Sequence, residues 1–90
     1  MINYLILVTG RVQGVGFRYM TWRLADELGL VGQVENLADG RVKITVQGPA
    51  KTVKHFLKEV AAGPSPAAVV TKVQVKEQAL EKRDSFVIAN

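Results

Sequence analysis

Residues 31–47 read VGQVENLADGRVKITVQ. Two segments rich in strand-forming residues, Val31 to Leu37 and Arg41 to Gln47, flank Asp39-Gly40, a dipeptide that supplies the positive φ of a hairpin turn. Val42, Ile44 and Val46 share one face of the second strand, so the hairpin has a buried side. For Val34 to join them it must pair near Ile44, and Asn36 then falls opposite Val42 on the same inner face. A carboxamide on the inner side of a strand end needs a partner.

Upstream, Phe17, Met20, Thr21, Leu24 and Leu28 recur at helical spacing and stop at Gly29, while Asn3 to Thr9 reads as a central strand ending at Gly10. Downstream, Gly48-Pro49 opens a second helix whose apolar stripe is Val53, Phe56, Leu57, Val60 and Ala61. Gly63-Pro64-Ser65-Pro66 ends it. Val69, Thr71, Val73 and Val75 alternate in a further strand, and Phe86 to Ala89 makes a short final one. The order is βαββαβ with an added β. Right-handed crossovers then place both helices on one sheet face. The expected fold is α+β: a two-layer α/β sandwich of ferredoxin-like type with a mostly antiparallel sheet. That architecture hosts many functions and selects none.

Ninety residues, nearly half of them apolar, suit one domain, residues 1–90, with an ordinary hydrophobic core. The absence of cysteine excludes a disulfide framework, a thiolate zinc site and a thiol nucleophile. Carboxylates are scattered without paired-ligand spacing, so neither a metal nor a glycosidase site is expected. The apolar run YLILV, Tyr4 to Val8, is too short to span a bilayer and precedes no cleavage pattern, so a cytoplasmic protein without a membrane partner is expected. A net charge of +4 favours anionic partners without choosing among them. Lys51, Lys54 and Lys58 lie opposite the apolar stripe and read as a solvated face; His55 reads as a helix-surface residue.

The junction of the first strand and helix reads TGRVQGVGFRYM, Thr9 to Met20. No serine, threonine, aspartate or asparagine precedes Phe17 to cap the helix. Gly10, Gly14 and Gly16 let the backbone approach a ligand, and consecutive N–H groups at a helix start form an anion cradle. Arg18 in the first turn is unfavourable for the helix itself, and this conflict points to a bound anion. The stretch is not a Walker motif, lacking lysine followed by serine or threonine, nor a dinucleotide fingerprint, because Tyr19 stands at the third glycine position.

GRVQGVGFR, Gly10 to Arg18, together with GQVENLADGRV, Gly32 to Val42, resembles the paired signatures of acylphosphatases, and the likeness continues through the element order and GPSPAAVV. The resemblance implies a metal-independent, cofactor-free hydrolase that splits acyl phosphates into carboxylate and inorganic phosphate. It implies that Arg18 binds the phosphoryl group and that Asn36 positions the attacking water. Arg11, Val12, Gln13, Gly14, Val15, Gly16 and Phe17 would hold phosphate mainly through the backbone. A monomer with a small-molecule substrate is expected. A carboxylate leaving group is stable as an anion, since carboxylic acids have pKa values of about 4, so a general acid is dispensable. Asn36 does not titrate and cannot be a general base, so the water's proton is expected to pass to a phosphate oxygen.

Two other classes share the element order. An RNA-binding module would carry aromatics on its central strands, and RVKITVQG has none. A noncatalytic phosphate-sensing domain would keep the anion site without turnover. Tyr19 and Trp22 read as packing residues, Arg23 as a solvated cation and Asp39 as a turn residue.

Overall fold

The apolar strand β1 (Ile2–Arg11) lies inside the sheet, with antiparallel neighbours on both sides. The computed structural model describes residues 1–89. After β1 come α1 (Phe17–Glu27), β2 (Val31–Asn36), β3 (Val42–Gly48), α2 (Ala50–Ala61), β4 (Val69–Gln78) and β5 (Phe86–Ala89). The five strands form one sheet in the order β4-β1-β3-β2-β5. It is mixed: β5 runs parallel to β2, and the other three pairings are antiparallel.

The hairpin register is the one the alternation predicts, with Val34 opposite Ile44 and Asn36 opposite Val42. Ile6, Val8, Val34, Val42, Ile44 and Val46 form the inner face of the sheet. Against it pack Phe17 and Ala25 of α1 and Val53, Phe56 and Val60 of α2, all fully buried or nearly so. Both helices therefore cover one face, α1 over β2 and β5, α2 over β1 and β3. Beyond Glu27, α1 closes with N–H bonds from Gly29 to the Asp26 carbonyl (3.1 Å) and from Leu30 to the Ala25 carbonyl (2.9 Å). Leu30 is buried just beyond that turn.

The strands depart from the sequence pattern at their ends. β4 reaches ten residues because its ladder with β1 continues through Lys76, Glu77 and Gln78, where side chains give no apolar signal. β1 reaches ten because Ile2 pairs with Gly48, and Gly10 and Arg11 pair with Val70 and Val69. In the turn after β2, Gly40 takes a positive φ (95), and its N–H donates to the Leu37 carbonyl at 3.2 Å.

Because β4 and β5 occupy opposite edges, residues 79–85 must cross the sheet. They are fastened on the face away from the helices. Buried Gln47 receives the Glu81 N–H at 2.6 Å and donates to its carbonyl at 2.8 Å, as a neighbouring strand would. Buried Asn3 donates to the Ala79 carbonyl (3.0 Å) and the Glu81 carboxylate (3.3 Å). The Asn3 amide first, and Arg83 second, hold the Glu81 carboxyl below its ordinary value. No aromatic stands among Asn3, Leu5, Leu7, Lys43, Thr45 and Gln47 on this face of the central strands, which is where an RNA-binding sheet would need stacking platforms.

Candidate active site

The loop between β1 and α1 starts at a bulge, where the β1–β4 register shifts between Thr9 and Gly10. Val12 and Phe17, each almost wholly buried, pin its two sides into the core. Between them Gly14 (φ 72) and Gly16 (φ 78) turn the chain through the left-handed region, where a Cβ is unfavourable. Gly16 is also the N-cap of α1, which has no side-chain cap and no acidic residue in the first turn. Among the described residues, the backbone N–H groups of residues 13–19 find no acceptor within the chain; the first helical bond is from Met20 to the Gly16 carbonyl, 3.1 Å. Such a run of free donors at a helix N-terminus is electrostatically suited to an anion.

Arg18, half-buried, adds a guanidinium to these donors, and it joins none of the ion pairs among the described residues. Arg23, one turn on, is by contrast an exposed helix-surface cation paired with Glu27 at 3.1 Å.

Opposite the loop stands the end of β2. Asn36 turns its side chain inward, as the register requires, and among the described residues its buried Oδ1 has no hydrogen-bond partner. A cleft of about 210 Å³ is lined by Val12, Gly14, Gly16, Phe17, Arg18, Tyr19, Asn36 and Ile88. Loop residues with free amides and a carboxamide whose oxygen is unsatisfied among the described residues thus line one space. A larger depression of about 290 Å³ lies beside the helices among Met20, Arg23, Leu24, Glu27, Glu59 and Pro64; it contains the satisfied Arg23–Glu27 pair and none of the free loop amides.

Of the loop residues named from the sequence, Val12, Gly14, Gly16, Phe17 and Arg18 line the cleft. Arg11 is exposed at the end of β1, and Val15 packs against the edge of the core. The Gln13 side chain turns away and donates to the Leu37 and Arg41 carbonyls. Two further residues line the cleft: Tyr19, which the sequence suggested as a packing residue, and Ile88, which it did not single out. Tyr19 is 55 % exposed at the mouth, beside Trp22 at a ring separation of 6.0 Å, and Ile88 arrives on β5 in register with Val34. The Trp22 indole N–H donates to the Phe86 carbonyl at 3.0 Å and so ties α1 to β5.

The hairpin turn behind Asn36 is braced by Asp39, whose carboxylate accepts from the Arg41 backbone N–H (3.0 Å) and guanidinium Nε (2.9 Å). The backbone bond first, and the guanidinium after it, keep the Asp39 carboxyl below its usual range. His55 is exposed on α2, far from these elements in the chain and outside the cleft. No three of His, Asp and Glu gather as a metal-binding group among the described residues, and no described helix is long and apolar enough to cross a membrane.

The family model for acylphosphatase matches residues 4–88. The chain is 51 % identical to an acylphosphatase of Archaeoglobus fulgidus over 99 % of both sequences, and 52 % identical to one of Thermotoga maritima over 92 % of this chain and 91 % of the relative. The crystal structure of acylphosphatase from Bacillus subtilis superposes with a TM-score of 0.96 at 44 % identity, with each chain covered in full. With a matching fold, and with this agreement running from the first strand to the last, the chain belongs to the acylphosphatase family of enzymes.

Proposed function

We infer that the protein hydrolyses acyl phosphates, releasing a carboxylate and inorganic phosphate. The observation that carries the reading is that, among the described residues, the buried Asn36 Oδ1 has no partner and lies in the same cleft as Arg18, which joins no ion pair, and the loop whose amides find no acceptor. The names of the relatives supply the substrate class.

The phosphoryl oxygens sit against the loop N–H groups and accept two parallel bonds from the Arg18 guanidinium, whose planar fork matches their spacing. Asn36 Oδ1 accepts a hydrogen bond from a water and aims its oxygen at phosphorus, opposite the acyl oxygen. As the water's O–P bond forms, the P–O bond to the acyl group breaks, and its electron pair leaves on the carboxylate. The water's proton passes to a phosphate oxygen, because Asn36 does not titrate. Charge spread over the phosphoryl oxygens is met by donors already in place, the main requirement of phosphoryl transfer.

The test is hydrolysis of a synthetic acyl phosphate by wild type, Arg18→Lys and Asn36→Ala. Turnover by wild type with large losses in both variants is expected, since an ammonium cannot reproduce the bidentate fork. Unchanged rates in both variants would remove the site assignment.

A further inference from the structure

Gln13 stands in the middle of the loop, yet its carboxamide serves the opposite wall of the cleft. Its Nε2 donates to the Leu37 carbonyl at 2.8 Å and to the Arg41 carbonyl at 2.9 Å, spanning 24 and 28 residues of sequence. These two residues flank the hairpin turn and are themselves joined by the Leu37 N–H and Arg41 carbonyl at 2.8 Å. Both amide protons of Gln13 are therefore committed to the hairpin, immediately after Asn36.

We propose that Gln13 is a positioning residue for hydrolysis: its carboxamide fixes the distance between the loop that grips phosphate and the Asn36 side chain that aims the water. The proposal rests on the roles inferred above for Arg18 and Asn36. Each wall has its own supports. The loop keeps Val12 and Phe17 in the core, and the turn keeps its Leu37–Arg41, Gly40–Leu37 and Asp39–Arg41 bonds. Among the described residues, the Gln13 bonds are the polar side-chain tie between loop and turn. Without them each wall retains its shape, but the two lose their alignment. Grip on phosphate and aim of the water become separable, and only the second depends on Gln13.

Gln13→Met keeps the side-chain length and removes both donors. Its kcat is expected to fall by about 10- to 100-fold, the scale of a misplaced reacting group, while the inhibition constant of inorganic phosphate stays at the wild-type value. Gln13→Glu presents two carbonyl oxygens with a carboxyl that donates one bond when protonated and none when ionised. Its kcat relative to wild type therefore rises as pH falls through that titration, whereas the Gln13→Met ratio stays flat. In an Asn36→Ala background, adding Gln13→Met has no further effect, because the residue acts through Asn36. Wild-type kcat in Gln13→Met overturns the proposal, as does an equal loss of phosphate affinity or a fully additive double variant. If Gln13→Met fails to fold, the pH series on Gln13→Glu decides. Failure of the underlying reading looks different: wild type then shows no turnover, or Arg18→Lys and Asn36→Ala leave turnover intact.

Discussion

Replacing Arg18 by methionine is expected to stabilise the protein while disabling it. Arg18 is the second residue of a helix whose N-cap, Gly16, offers no side-chain cap and whose first turn has no acidic residue, so its charge faces the positive end of the helix dipole unrelieved. Methionine matches arginine in unbranched shape and in helix propensity, which isolates the charge. Removing a cation from this position returns about 0.3 to 1 kcal/mol at low ionic strength. For a domain of this size that is a rise in Tm of roughly 1 to 8 °C. Inorganic phosphate reverses the order. At a hundredfold excess over its Kd it stabilises wild type by about 2.7 kcal/mol, and the variant, stripped of the guanidinium, by much less. Two charge-assisted bonds at about 1.5 to 3 kcal/mol each predict a loss in kcat/KM of roughly 10² to 10⁴. Thermal unfolding with and without phosphate, beside acyl phosphate kinetics, reads all three quantities. Added sodium chloride should erode the gain in Tm, because the dipole term is screened. A variant less stable than wild type in phosphate-free buffer, or one stabilised equally by phosphate, would refute the reasoning.

Two further outcomes are expected. Asn36→Val removes a buried acceptor that has no partner among the described residues and places a β-branched residue opposite Val42, so urea unfolding should show a gain of about 1 kcal/mol together with loss of turnover; a destabilised variant contradicts this account. Glu81 has its folded-state pKa lowered from an ordinary 4.5, so its contribution to stability is present above that value and disappears as pH falls through the folded value. The denaturant midpoints of wild type and Glu81→Gln should therefore differ at neutral pH and converge in acid, and a gap that widens on acidification rules out the assignment.

The alternation of Val34, Asn36, Val42, Ile44 and Val46 carries both the hairpin register and the inward orientation of Asn36, because a strand's period of two leaves one choice of face. The uncapped helix start and the unfavourable Arg18 are equally local, and so were legible. The parallel docking of β5 was not, since four residues carry no mark of direction or neighbour. Nor were Gln13, Asn3 and Gln47. Each donates its amide to main-chain carbonyls of a distant turn or crossing segment, and a carbonyl acceptor leaves no trace in side-chain pattern. Gln13 therefore read as one more loop amide, although its backbone and side chain face different walls.

The strand order also dates the assembly of the cleft. A ribosome delivers the glycine loop and Arg18 first, but β1 must wait for β3 and then β4 before both its edges are paired. β2, which carries Asn36, gains its second neighbour only from β5, through pairs such as Gly32 with Phe86. Closing such long stretches of chain costs entropy before any contact repays it, so these pairings come late. On the proposed roles, the chain thus carries its phosphate loop before the strand bearing Asn36 is flanked on both sides. Full competence for the proposed reaction is therefore expected only once the last strand, which also brings Ile88 to the cleft, has docked.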